Sequence, residues 1–244
     1  MRHVFIIGAQ RCGTTFIADY LSAHSSIQVI KPLKPEPKFF SDIGNHQFNK
    51  DTYFNKFFIN NPNTNFFIEK STNYIENVKA LKHIKKLFPN GKILILLRNP
   101  IYRAYSNYKF SYESGLESKS FLEAINSNPK KRPYKSVSSN PFNYLERGLY
   151  INYIKEVDKI FDKKNIKIFI LEELMNTNLN ELLKFFNLSS LNIDYFRKSK
   201  KNISDNSLAI KDEEIDLLKN FYLPSVRKLE KFLDRKITTW NEFR

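Results

Sequence analysis

Val4-Phe5-Ile6-Ile7-Gly8-Ala9-Gln10-Arg11-Cys12-Gly13-Thr14-Thr15-Phe16-Ile17 is the stretch that decides how this chain folds. A short apolar run enters a glycine turn and leaves it into residues whose apolar side chains recur at helical spacing. Strand, tight turn and helix in that order aim several backbone N–H groups and the positive end of a helix dipole at one point, which suits a phosphate. Gly8 and Gly13 allow the backbone to approach a ligand closely, and Arg11, Thr14 and Thr15 add a cation and two hydroxyls. The candidate anion-binding residues are therefore Gln10, Arg11, Cys12, Gly13, Thr14 and Thr15.

Outward from this stretch, short apolar runs alternate with longer helical patterns. Val4–Ile7, Ile27–Ile30, Phe66–Ile68, Ile93–Leu97 and Ile166–Leu171 read as strands. Thr14–Ala23, Asn77–Leu87, Ile101–Tyr112, Leu145–Phe161, Asn178–Phe186 and Asp212–Leu233 read as helices. The alternation predicts a single α/β domain over residues 1–244, a P-loop-like three-layer fold with a central, mostly parallel sheet flanked by helices. Ligands of such sheets bind at the carboxyl ends of the strands. The proline- and serine-containing segment 126–143 and the Lys-, Asn- and Ser-rich segment 198–207 read as loops able to close over a substrate.

Forty Lys and Arg against 25 Asp and Glu give a net charge of +15, which concentrates anionic partners around the protein without choosing among them. Cys12 is the single cysteine, so an intrachain disulfide and a multi-cysteine metal site are excluded and no metal is expected. The opening apolar run is far shorter than the roughly 20 residues that span a bilayer, so no transmembrane segment and a cytoplasmic location are expected.

The glycine loop is similar to the Walker A pattern G-x-x-x-x-G-K-[ST], but Thr14 stands where the lysine that reaches the β- and γ-phosphates belongs. Nor does an acidic residue follow the strand Lys92–Leu97 to hold Mg²⁺, because the chain continues Arg98-Asn99-Pro100. A nucleotide kinase or hydrolase is thereby disfavoured. A basic module for nucleic acid or membranes rests on the charge alone, and nucleic acid is not an expected partner. Pro100 sets the start of a helix directly after Arg98, and Ser106 lies about two turns along it, where both can meet one anion. Arg103 on the same helix reads as a solvated or salt-bridged surface residue.

The loop resembles the 5′-phosphosulfate-binding loop of sulfotransferases that use 3′-phosphoadenosine 5′-phosphosulfate (PAPS), above all the heparan sulfate N- and 3-O-sulfotransferase branch and its bacterial relatives. That branch shows G-x-[QR]-[KR]-x-G-T-[TS] here, with Arg11 in place of its usual lysine, a planar fork for a compact ammonium. Arg98 to Ser106 is similar to the family's R-[DN]-P-x-x-R-x-x-S element, whose role is to bind the 3′-phosphate. The resemblance implies PAPS as co-substrate, adenosine 3′,5′-bisphosphate as product and a hydroxyl or amine acceptor, with a saccharide favoured. Lys34-Pro35-Glu36-Pro37-Lys38-Phe39-Phe40 resembles the family's K-E-x-x-F-F segment, which makes Glu36 the general base and Lys34 an acceptor-side residue. Two prolines stiffen its backbone, and Phe39 and Phe40 are expected to shield it from water and raise its pKa. Glu69-Lys70-Ser71-Thr72-Asn73-Tyr74 looks like the family's E-K-[ST]-x-x-Y-F element, so Lys70 is expected at the sulfuryl group or the acceptor and Tyr74 at a wall of the acceptor cleft. Lys200 and Lys201 resemble the basic segment that closes over the nucleotide phosphates. Asp51 to Phe58 is similar to W-Y-x-x-x-F with Thr52 for the tryptophan, and core packing is its expected role.

Overall fold

The computed structural model describes residues 2–41, 49–127, 140–176, 179–188 and 209–244. Strands β1 (Arg2–Gly8), β2 (Ile27–Val29), β3 (Phe66–Lys70), β4 (Lys92–Leu97) and β5 (Ile166–Ile170) form one sheet in the order β2-β3-β1-β4-β5. Every neighbouring pair is parallel. Residues 4–8 of β1, all of β3 and residues 93–97 of β4 are buried without alternation. Successive side chains point to opposite faces, so unbroken burial means that both faces are covered, as near-continuous apolar strands of a parallel sheet require. The expected α/β architecture is therefore observed. The strand order reverses between β1 and β4, the point at which open α/β sheets bind ligands.

The helices are α1 (Thr14–Ser22), α2 (Lys50–Phe57), α3 (Val78–Leu87), α4 (Pro100–Glu113), α5 (Phe121–Asn126), α6 (Tyr150–Ile160), α7 (Leu171–Asn176), α8 (Asn180–Phe186) and α9 (Asp212–Leu233). The chain divides into two compact units, Met1–Leu97 with Tyr153–Phe196 and Arg98–Asn152 with Arg197–Arg244. Among the described residues no helix is long and apolar enough to cross a membrane.

In the first unit, α3 shows how composition sets a helix. Asn77 caps it by accepting from the Ala80 N–H at 3.0 Å, and Ala80, Leu81 and Ile84 form its buried stripe. Helix α2 escapes a periodicity reading because Tyr53 is its one buried residue; its start is set by Asn49, which accepts from the Asp51 N–H at 2.7 Å. Tyr53 packs in an aromatic core with His3, Phe5, Phe40 and Phe88, as expected for this segment. The last strand ends at Ile170, and the chain turns at once into α7 where an extended continuation was expected.

In the second unit, α4 opens with Pro100 in its first turn and Asn99 as cap, the Asn99 side chain accepting from the Ile101 N–H at 3.0 Å. Short α5 begins with a capping box of Ser120 and Glu123, a signal the reading for periodicity passed over. Arg103 is not the surface residue its helix position suggested. It is fully buried, donating to the Tyr144 carbonyl and, at 3.3 Å, to the Asn107 side-chain oxygen. A helix face is solvated only when nothing packs on it, and here the Tyr144 segment does.

Candidate functional site

The loop after β1 is held by its own backbone. The Ala9 N–H donates to the Leu96 carbonyl of β4 at 2.8 Å, and the Cys12 N–H closes a turn onto the Ala9 carbonyl at 3.3 Å. Gly8 passes so near the 3₁₀ turn Tyr74–Glu76 that an added Cβ would lie 2.6 Å from Ile75 Cγ2. Gly13 has φ of 76°, in the left-handed region, and a Cβ there would meet Leu171 Cδ1 at 2.8 Å. Gly13 is the cap of α1, no side chain caps that helix, and no acidic residue sits in its first turn. The first-turn amides of Thr14 and Thr15 thus keep the donor capacity that a helix start leaves over. Thr14 is buried, Thr15 and Gln10 are half-buried, and Arg11 is exposed on a backbone whose φ is 66°. The Cys12 thiol is buried and donates to the Gln10 carbonyl within the loop at 3.7 Å.

Glu36 and Lys70 meet at the start of α1. Lys70 Nζ lies 2.7 Å from Glu36 Oε1 and donates to Thr15 Oγ1 at 3.3 Å. Glu36 also accepts from the Thr72 N–H at 2.8 Å and from the Thr72 hydroxyl at 2.9 and 3.0 Å. The end of β3, the proline-flanked segment and the helix start therefore share one polar cluster. Lys34 is exposed, outside this set of contacts.

Phe39 and Phe40 turn their rings into the aromatic core. Their ring contacts run to Phe5, Tyr53, Phe57, Tyr74 and Phe88, in the aromatic core. Beside them Glu69 is fully buried and raised to about 7 from an ordinary 4.5 by the loss of water, against hydrogen bonds from Tyr74, Tyr53 and Ser71 that favour its charge. Tyr53 donates to Glu69 Oε2 at 2.7 Å, Ser71 to Oε1 at 3.1 Å, and the Tyr74 hydroxyl to Oε1 as well. Burial, then the adjacent Glu69, pushes the Tyr53 and Tyr74 hydroxyls well above their ordinary value. His3 touches Tyr53 at 2.8 Å, and burial, with Lys50 nearby, lowers its ring to about 3, so it stays neutral.

Tyr74 is thus a fully buried member of this network, not the wall of a cleft. Glu69, Ser71 and Thr72 carry contacts the sequence reading did not assign to them. The available signal was an acidic residue inside a strand of otherwise apolar neighbours, Phe66-Phe67-Ile68-Glu69, since a carboxylate in a covered strand must find donors.

In the second unit, Arg98 directly precedes the cap of α4 and Ser106 lies on that helix, each half-buried. The Arg98 carbonyl accepts from the Tyr150 hydroxyl at 2.7 Å. Asn99 donates through Nδ2 to Glu242 at 2.6 Å, and Tyr102 donates to the other Glu242 oxygen at 2.6 Å. Glu242, followed by burial, pushes the Tyr102 hydroxyl up to about 12. Lys200 and Lys201 lie outside the described residues, as do most of the two expected closing loops.

A family model described as "Sulfotransferase domain" matches residues 1–231. The bifunctional heparan sulfate N-deacetylase/N-sulfotransferase 3 of Mus musculus is 31% identical over 196 residues, 75% of this chain and 22% of that protein. The corresponding enzyme 1 of Caenorhabditis briggsae is 27% identical over 181 residues, 70% of this chain and 20% of that protein. The chain spans about a fifth of the length of these relatives. Among solved structures, a sulfotransferase from Alicyclobacillus acidocaldarius has a TM-score of 0.78 at 24% identity, with 98% of each chain covered. Mouse sulfotransferase SULT7A1 complexed with PAP has a TM-score of 0.59 at 12% identity, covering 96% of this chain and 88% of that one. At these identities the structural likeness speaks to fold.

Proposed function

This chain belongs to the sulfotransferase family, and on that footing we propose that it moves a sulfuryl group from PAPS to a hydroxyl or amine of a saccharide acceptor by in-line displacement, with Glu36 as general base. The observation that carries the reading is the cluster in which the Lys70 ammonium bridges Glu36 and Thr15 at the uncapped start of α1. A carboxylate, a cation and a helix N-terminus within hydrogen-bond reach of one another are the parts that sulfuryl transfer needs.

The residues present suit the donor nucleotide. Gly13 leaves the first-turn amides of α1 without a side-chain cap, and Arg11, Lys70, Thr14 and Thr15 add charge and hydroxyl donors to the same end. Bound there, PAPS supplies an activated sulfuryl group on a phosphate that departs as a stable anion. Gln10, Cys12 and Gly13 contribute main chain to the loop. Arg98 and Ser106 are assigned the 3′-phosphate, as charge-assisted and hydroxyl donors; Lys200 and Lys201 are assigned to the nucleotide by resemblance alone.

Glu36 takes the acceptor proton on a carboxylate oxygen, and Lys70 answers the negative charge on the sulfuryl and leaving oxygens. Thr72 keeps Glu36 oriented through its amide and hydroxyl. Lys34 is exposed and is assigned to the acceptor. The net charge of +15 and the heparan sulfate enzymes among the relatives support an acidic saccharide as acceptor, and the absence of the Walker lysine at Thr14 speaks against triphosphate chemistry.

Incubation with labelled PAPS and a panel of glycans, peptides and phenols tests the reading, with titration of adenosine 3′,5′-bisphosphate against ATP and Mg²⁺. Transfer to a glycan and preference for the bisphosphate are expected. Tighter binding of ATP and Mg²⁺ would overturn it.

A further inference from the structure

Glu69 faces away from the polar cluster of Glu36 and Lys70, yet it is tied to the Glu36 segment twice. Ser71 donates to Glu69 Oε1 at 3.1 Å while its oxygen accepts from the Lys38 N–H at 3.0 Å. Tyr74 donates to the same Glu69 oxygen while its hydroxyl oxygen accepts from the Phe40 N–H at 3.0 Å. Two main-chain amides flanking Phe39, the first only two residues beyond Glu36, are therefore anchored through hydroxyls that one buried carboxylate orients. Tyr53, donating to Oε2 at 2.7 Å, completes the acceptor's coordination and meets the segment through ring contacts with Phe39 and Phe40, without holding a main-chain amide.

We propose that Glu69 is a positioning residue for the transfer reaction, acting through Ser71 and Tyr74 on the segment that presents Glu36, and that its charge state decides how firmly that segment is held. This rests on the reading of Glu36 as general base.

The physical argument is donor counting. A carboxylate accepts only, and all three neighbouring hydroxyls donate to it. A protonated carboxyl must donate one O–H itself, so a hydroxyl that receives it has to turn its own proton away, and the set of three charge-assisted bonds that fixes Ser71 and Tyr74 is weakened. Among the described residues, the groups facing Glu69 supply no cation to resist protonation. Tyr53 comes from α2, Tyr74 from the following 3₁₀ turn, and neutral His3 on β1 stands behind Tyr53. Phe5 is its register partner on β1, and the charge of Glu36 adds repulsion. Lys50 acts on His3, and Lys70, next in the chain, is directed to Glu36 instead. Burial, which raises Glu69 to about 7, then brings the change into the neutral range.

The test combines turnover with amide exchange. In Glu69→Gln, kcat with PAPS and acceptor is expected to fall roughly tenfold, the loss that corresponds to one net hydrogen bond, while affinity for adenosine 3′,5′-bisphosphate stays as in the unmodified protein. The acid limb of the kcat profile near neutrality should flatten in this variant. By NMR, protection of the Lys38 and Phe40 amides, corrected for intrinsic exchange, should fall in Glu69→Gln and in the unmodified protein as pH drops below about 7. Ser71→Ala should release the Lys38 amide and spare Phe40, whereas Tyr74→Phe should do the reverse; these variants serve if Glu69→Gln does not fold. Unchanged protection of both amides in the Glu69 variant, or a pH profile identical to that of the unmodified protein, overturns the proposal. If the unmodified protein neither transfers sulfuryl groups nor binds the bisphosphate, it is the reading of the site that fails, and the exchange data still decide whether Glu69 holds the segment.

Discussion

The Lys70 ammonium lies 2.7 Å from the Glu36 carboxylate in a pair whose side chains are only 2% and 15% exposed. So little water reaches the pair that neither charge is cheaply left alone, and its two halves should behave as one unit in both stability and turnover.

Glu36→Gln is expected to lower transfer at least 100-fold, the usual scale for removing a general base, and to leave affinity for adenosine 3′,5′-bisphosphate unchanged. Single-turnover kinetics beside calorimetric titration separate the two effects. Near-normal turnover would remove Glu36 from the role of base.

In a double-mutant cycle, Lys70→Met or Glu36→Gln alone should cost on the order of 2 kcal/mol, because each strands a partner. The double variant should cost clearly less than the sum. Denaturant unfolding of the four proteins measures the coupling, and strict additivity would mean the two charges do not share a site.

Stability should change with pH through two buried groups of opposite sign. The Glu69 carboxyl is raised from 4.5 to about 7, so its contribution is fully present below about 4.5 and lost as pH rises through about 7. His3 is lowered from 6.5 to about 3, so its contribution is present above about 6.5 and lost as pH falls toward 3. Thermal unfolding across pH 4 to 8 should therefore show the unmodified protein losing stability relative to Glu69→Gln with rising pH, and relative to His3→Phe with falling pH, at up to about 1.4 kcal/mol per pH unit for each proton. Parallel curves for all three proteins would contradict both assignments.

Arg98→Ala should weaken adenosine 3′,5′-bisphosphate by roughly 10- to 100-fold, as expected for a charge-assisted contact, and leave adenosine 5′-monophosphate nearly unaffected. Glu242→Ala should do the same more weakly, since Glu242 holds Asn99, which caps α4 beside Arg98. Equal losses for both nucleotides would show that Arg98 does not read the 3′-phosphate.

Gly13→Ala should destabilise the fold by about 1–2 kcal/mol, because an L-residue resists the left-handed region, and should weaken nucleotide binding because the new Cβ presses on Leu171. Thermal unfolding and titration of the same variant check both.

Much of this was legible in the sequence. The β1 run ending at Gly8 and the β4 run ending at Leu97 are apolar throughout, and only a strand covered on both faces tolerates that pattern. Gly8, Gly13, Arg98 and Pro100 mark their turns because backbone conformation is a local property. Helix α2 was missed because one buried tyrosine makes no period, and Arg103 was misjudged because its burial depends on the distant Tyr144 segment.

Sequence by itself determined the sheet class, the glycine loop between β1 and α1 and the residue types offered as base and cations, since periodicity, glycine placement and charge act over a few neighbouring residues. Only the tertiary structure decided that Lys70 pairs with Glu36 across 34 positions, that Tyr74 lies in the core, and that burial raises Glu69. Pairing and desolvation depend on which distant segments pack together, and no local pattern encodes how much water a carboxylate retains once they do.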